Sequence, residues 1–280
     1  MSQHTNTEDT IDLKELFFSL IAQWKLIALC IILSLICALL YLRVTPDTYS
    51  VNALVQVEEN KGASAALLGD LSSMIEQKQP AQAEIEILKS RLVLGNVIQH
   101  LNLDLKISGT ENSFTNRLLS PHHYETQYQP KSVLFKDDEK VFDIRQFNIP
   151  ASFRDKKIEL RFHDKQFSLT DEETEQVILI AKTNQANTLR TTDGLWNISI
   201  YTQDQLNDVY LIQKQSLPAA VNSILANYSV AEKGKLTGIL GLNYQGTDKT
   251  HITQVLNAIL VSYSQQNIER RSAETAQTLK

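Results

Sequence analysis

From Leu26 to Leu42 the chain reads LIALCIILSLICALLYL, a run without a charge, a proline or a glycine. As a helix this run is about 25 Å long, against a bilayer core of roughly 30 Å. Trp24 and Tyr41 mark its two ends, where aromatic rings favour the membrane–water interface. Lys25 and Arg43 bracket it with charges that can snorkel to headgroups. The pattern predicts a transmembrane helix over residues 26–43. A cleaved signal peptide would have a short basic start and a small-residue cleavage site. Here the run is preceded by Glu8, Asp9, Asp12 and Glu15 against Lys14 and Lys25, and it continues into LRVTPDTYS. Ahead of it, apolar residues at 11, 13, 16, 17, 20, 21 and 24 are spaced nearly as on one helix face. That predicts a cytoplasmic amphipathic segment over residues 1–25, capped by Asp9 or Thr10. Lys14 and Lys25 before the span face Arg43 and Lys61 after it, so the positive-inside rule sets no orientation.

Past the span the period changes. YSVNALVQVE, Tyr49–Glu58, alternates and is rich in strand formers, so it reads as a strand. Leu67, Leu68, Leu71 and Ile75 suggest a short helix within residues 60–80. Apolar residues at 85, 87, 88, 92, 94, 97, 98 and 101 then trace one amphipathic helix over residues 81–103, with Pro80 just before its start and Gly95 interrupting it mildly. From about 112 to 202 the texture is that of a β-rich insert. Seven of the nine phenylalanines fall between 114 and 167, and short runs such as KIELRF alternate between polar turns. Pro218 opens a further helix, and YSVAEKGKLTGILGLNYQG reads as two strands turning near Gly234. The last segment, Lys249–Lys280, has neither Pro nor Gly. Ile252, Val255, Leu256, Ile259, Leu260 and Tyr263 form its stripe, and beyond Tyr263 it is polar nearly all round. A polar helix that does not stop needs a partner or more chain, so a longer parent protein is expected.

The fold class is therefore α+β. An N-terminal transmembrane helix (26–43) is followed by an α/β domain in two parts, residues 44–111 and 203–247. The β-rich insert over 112–202 separates the parts, and a long helix over 248–280 completes the chain. The 280 residues are 42% hydrophobic and 21% charged, which excludes a disordered or collagen-like chain. A net charge of −5 argues against a nucleic-acid partner. The mean hydropathy of −0.20 averages away the single apolar run. Both cysteines, Cys30 and Cys37, lie in that run, which leaves the rest of the chain compatible with an oxidising compartment.

No catalytic, cofactor-binding or metal residue emerges. Gly241–Gly246 has the first half of a phosphate-binding loop, but Thr247 stands where the lysine is required. Asp248 reads instead as a helix N-cap. His122, His123 and His163 lack ligand spacing and read as loop histidines. The acidic runs Asp137–Glu139 and Asp171–Glu173 lack the EF-hand pattern. Glu84, Glu86, Lys89 and Arg91 fall on one predicted helix, where surface ion pairing is the plain reading. Glu86, Arg91, Arg270 and Arg271 are the candidate oligomer or partner contacts, with a solvated face as the simpler account of the two C-terminal arginines.

Several segments together resemble one family. IDLKELFFSLIAQWKLI, YSVNALVQVEE, EIEILKSRLVLGNVI, VAEKGKLTGILGLNYQGTD and LNAILVSYSQQNIERRSAETAQTL are similar to the bacterial polysaccharide co-polymerases. More narrowly they resemble the membrane and periplasmic part of the chain-length-determinant-like tyrosine autokinases of capsule and exopolysaccharide assembly. The likeness covers nearly all of residues 10–280; the insert matches only in texture. It implies a bacterial inner-membrane protein with a periplasmic main domain, assembled as a homo-oligomer. It also implies control of polymer length and export alongside a polymerase and outer-membrane export machinery. The polysaccharide itself is a further partner. ATP and magnesium enter only if a kinase domain follows. Residues 44–280 carry 24 basic and 28 acidic side chains, no electrostatic trap for an acidic glycan, which favours a scaffold over tight polymer binding. Two other readings stay open: an extracytoplasmic sensor domain governing a cytoplasmic enzyme, and a chain-length regulator without a kinase.

Overall fold

A computed structural model describes residue 18 and residues 21–45, 47–57, 80–110, 124–206, 208–234 and 237–278. The expected amphipathic segment lies largely outside these residues. Leu67, Leu68, Leu71 and Ile75, on which the expected short helix within 60–80 rests, lie outside them, as do His122 and His123. The chain divides into two compact units, Met1–Pro46 and Asp47–Lys280.

The first unit is built on α1 (Trp24–Val44). Its 21 residues extend about 31 Å, and by length and composition it is able to cross a membrane. Leu26, Leu29, Ile32, Leu33, Ile36 and Leu39 project from it without a polar face, the pattern of a span rather than of a surface helix. Trp24 and Lys25 fall in its first turn, Tyr41 and Arg43 in its last.

The second unit mixes helices and strands in two layered parts. One part is a three-stranded antiparallel sheet of β1 (Tyr49–Gln56), β13 (Ile239–Gly246) and β12 (Tyr228–Glu232), in the order β1-β13-β12. Alternation in β1 turns Val51, Ala53 and Val55 to one side, opposite Tyr244, Leu242 and Leu240 of β13. Four helices cover the sheet and one another: α2 (Pro80–Lys89), α3 (Arg91–Leu101), α4 (Leu217–Leu225) and α5 (Lys249–Thr278).

The single helix expected over residues 81–103 is two helices, and the break is at Ser90 rather than Gly95. Ser90 takes an extended conformation (φ −71°, ψ 156°) and its hydroxyl accepts from the Val93 amide, a local bond that competes with the helix ladder. Gly95 lies buried within α3 against Leu217. Asn102, in the left-handed region at φ 54°, ends α3.

The other part is a pair of open five-stranded antiparallel sheets. The first has the order β3 (Tyr124–Gln129), β4 (Ser132–Asp137), β5 (Lys140–Asn148), β10 (Gly194–Thr202), β9 (Ala186–Thr191). The second has the order β2 (Leu105–Gly109), β11 (Val209–Lys214), β6 (Lys157–His163), β7 (Gln166–Asp171), β8 (Val177–Lys182). Strands on both sides of residues 112–202 thus complete the second sheet. The sheets meet through aromatic side chains. Phe142 of the first lies 5.2 Å from Phe162 and 5.0 Å from Tyr210 of the second, ring centre to ring centre. Trp196, fully buried, packs on Phe153 and donates its indole N–H to Thr191 Oγ1 at 3.1 Å. Gly109 ends β2 without a side chain because a Cβ there would run into the Tyr124 ring.

Candidate functional site

The long helix α5 is the element that both other layers lean on. It packs on α3, on α2 and on strands β1 and β13. Asp248 caps it: one carboxylate oxygen accepts from the amides of Thr250 (2.7 Å) and His251 (3.1 Å). Gly241 and Gly246, the glycines of the incomplete phosphate-loop pattern, are ladder residues of β13 paired with Leu54 and Tyr49. They form no loop around an anion.

Two turns apart on one face of α5, Tyr263 and Arg270 converge on Glu84 of α2. The Tyr263 hydroxyl donates to Glu84 Oε2 at 2.8 Å. Arg270 Nη2 donates to both carboxylate oxygens, at 2.9 and 3.1 Å. Burial, and then the bond to Glu84, push the Tyr263 phenol well above its ordinary value, so it remains neutral. The Ser262 hydroxyl, also on α5, donates to the Val93 carbonyl of α3 at 3.1 Å. These bonds tie α5 to α2 and α3 past the point where its apolar stripe thins.

Of the four residues read as partner contacts, Glu86, Arg91 and Arg271 are exposed, and Arg270 is turned onto Glu84. Glu84 pairs with Arg270, 186 positions away, rather than with Lys89 on its own helix. Glu84 and Tyr263 were not singled out from sequence as a site. The available signal was an acid next to Ile85 and Leu88 on the apolar face, facing a stripe that ends in a tyrosine.

At its other end α5 meets the paired sheets. The His251 ring lies 4.8 Å from that of Tyr128 on β3, whose hydroxyl donates to the Leu105 carbonyl of β2 at 3.1 Å. Lys106 Nζ approaches the same tyrosine ring at 5.9 Å. His251 Nδ1 is buried and makes no hydrogen bond among the described residues. Burial lowers the His251 pKa, Lys106 lowers it further, and Asp248 works the other way. Lys106 is itself lowered by burial, against Asp104. Tyr128 is held neutral by burial, with Tyr244 and Asp104 as further neighbours. A lowered histidine favours the folded state when neutral. Its contribution is therefore complete above the unfolded value of 6.5 and is lost as pH falls toward the folded one. Between pH 7.5 and 5 the chain is expected to lose thermal stability. The His251→Phe variant, which keeps a ring against Tyr128, is expected to lose less over that interval. Parallel melting curves of the two proteins would show this; equal slopes would remove His251 as the cause.

His163 lies at the exposed end of β6, its side chain 86% accessible. Among the described residues, no three His, Cys, Asp or Glu side chains gather where they could hold a metal ion.

Residues 9–101 match the family model "Wzz: Chain length determinant protein". Over its full length the chain is 94% identical to "Tyrosine-protein kinase ptk" of Acinetobacter johnsonii, of which it spans 38%. It is 30% identical over 97% of its length to "Tyrosine-protein kinase wzc" of Salmonella typhimurium, spanning 35% of that protein. The "Tyrosine-protein kinase etk" of Escherichia coli K12 is 27% identical, again over 97% of this chain and 35% of its own length. The chain thus spans little more than a third of these curated relatives. It carries the Wzz chain length determinant domain over residues 9–101, and as a whole it is a homologue of the ptk, wzc and etk tyrosine-protein kinases, matching their N-terminal part.

Proposed function

We propose that this chain is the membrane and periplasmic part of a polysaccharide co-polymerase, controlling the chain length, assembly and export of a capsular polysaccharide or exopolysaccharide. The observation that carries the reading is the chain length determinant match. It takes in the candidate span, strand β1, and helices α2 and α3 together. The tyrosine-protein kinases related along the whole chain support it. In this reading α1 lies in the inner membrane and residues 47–280 act outside the cytoplasm as a scaffold in a homo-oligomer. A polymerase and outer-membrane export machinery are its partners. A single span confines subunits to two dimensions and so raises their effective concentration for assembly. Kinase chemistry, with ATP and magnesium, enters this reading only if a kinase domain follows.

The test is genetic and biochemical. Deleting the gene in its own bacterium is expected to shift the length distribution and surface amount of the polymer, and the full-length protein to restore both. An unchanged polymer after deletion would end the proposal. Placement is tested separately. A reporter enzyme active only outside the cytoplasm, fused after Lys61, is expected to be active. An Arg at Leu33 opposes insertion by about 2.5–3.5 kcal/mol, so Leu33→Arg is expected to reduce that activity. A reporter that works only in the cytoplasm would reverse the assigned orientation.

A further inference from the structure

At one rim of the paired sheets, three turns close around a cleft of about 650 Å³, within the size range of small-ligand sites. One turn joins β6 to β7, the second joins β8 to β9, and the third follows β10. The lining is polar throughout: Gln166, Thr183, Asn184, Thr202, Gln203 and Gln205 among it.

The turns are fixed to one another. The Thr183 amide donates to the Lys165 carbonyl at 3.0 Å, and the Asn184 amide to the Ile200 carbonyl at 2.8 Å. The Thr202 amide donates to Asn184 Oδ1 at 2.9 Å, and the Thr202 hydroxyl to the Val141 carbonyl at 2.8 Å. The Val141 amide in turn donates to Asp204 Oδ2 at 2.7 Å. Asp164 and Asn184 hold their turns in the left-handed region, at φ 52° and 60°. Loops braced in this way need little ordering when a ligand arrives.

The chemistry of the lining selects a ligand class. With no large apolar side chain it offers no wall to a hydrophobic molecule. Its formal charges are Lys165 against Asp164 and Asp204, a slight acidic excess, so it holds no cationic cluster for phosphate. The carboxamides of Gln166, Gln203 and Gln205 each present both donors and an acceptor. Among the described residues none of the three has a hydrogen-bond partner, whereas the neighbouring Asn184 and Asp204 are occupied in bracing the turns. A surface that donates and accepts side by side, with only a slight acidic excess, suits a molecule whose every substituent does the same, a polyhydroxylated sugar. We propose that this cleft binds a short stretch of glycan. The inference rests on the co-polymerase reading for the identity of that glycan, and it places direct polymer contact on the paired sheets rather than on the helices.

The experiment uses the full chain in detergent micelles. Three probes are titrated by saturation-transfer NMR: a hexasaccharide fraction of the cognate bacterium's own polymer, maltohexaose as a neutral unrelated glycan, and a sulfated heparin hexasaccharide as a polyanion. Wild-type protein is expected to bind the cognate fraction saturably, and more tightly than the polyanion. The double variant Gln166→Ala/Gln203→Ala, at two exposed positions, is expected to weaken that binding at least ten-fold. Arg190→Ala, on β9 and outside the lining, is expected to leave it unchanged. No saturable binding by wild type, preference for the polyanion, or equal binding by the double variant would each overturn the proposal. The same proteins are expressed in the deletion strain to separate the two ideas. Restored polymer length without glycan binding would remove the cleft and keep the co-polymerase. Glycan binding without restored length would do the reverse.

Discussion

Phe142→Ala is expected to lower the stability of the second unit by about 3–5 kcal/mol, the usual cost of emptying a large aromatic site in a packed core. Phe142 is 1% exposed, and its ring, with that of Phe135, bridges the two five-stranded sheets. It contacts Phe135 on its own sheet at 5.2 Å, and Phe162 and Tyr210 across the interface at 5.2 and 5.0 Å. Neighbouring strands are held by their ladders and cannot close inward, so the cavity would persist. The aromatic pair terms would go as well. For a chain of this size the loss corresponds to a fall in Tm of roughly 6–20 °C. Leu195→Ala, at a side chain 47% exposed on β10, is the comparison and should cost far less. Thermal melts of the three proteins decide the matter. A Phe142 variant melting with wild type would mean that the sheets are not joined through this cluster.

Glu84→Ala is the second large effect, with an expected loss of about 1–3 kcal/mol. It removes the acceptor shared by Tyr263 and Arg270, leaving a buried hydroxyl without its acceptor and a partly buried guanidinium with only Asn267 Oδ1, at 3.3 Å. Breaking a fully buried pair costs more. Here the Arg270 side chain is 34% exposed, so water recovers part of the loss. The effect should be local before it is global. Backbone amides from Ser264 to Ser272 are expected to exchange faster with solvent, while those from Ile252 to Leu260, seated on the sheet, keep their protection. Glu84→Gln retains an acceptor and should fall between. Unchanged exchange after Ser264 would show that the far half of α5 is held by something other than α2.

The sequence went far in predicting local structure. Alternation in Tyr49–Gln56, the turn near Gly234 and the 3–4 spacing from Ile252 to Tyr263 each fixed an element, because period alone distinguishes strand from helix. Asp248 was legible as a cap since its partners are two and three residues away. The divided helix at Ser90 was not. The apolar spacing runs on through the break, so periodicity carries no mark of it, and one serine hydroxyl turning back on Val93 decides it. The extra strands β2 and β11 were missed for a related reason. A short strand is recognised by its partner, and theirs lie on each other and on β6, a hundred residues apart or nearly half that.

What the residues determined unaided is whatever follows from neighbours along the chain: an apolar run of membrane length, the helix and strand periods, the caps, and the resemblance carried by contiguous motifs. Only the tertiary structure decided that Glu84 belongs to Arg270, that His251 lies under Tyr128, and that three distant turns share one polar cleft. Side-chain reach is a few ångströms, whereas these partners stand tens to hundreds of residues apart. No spacing rule links them until the sheets and helices have been stacked.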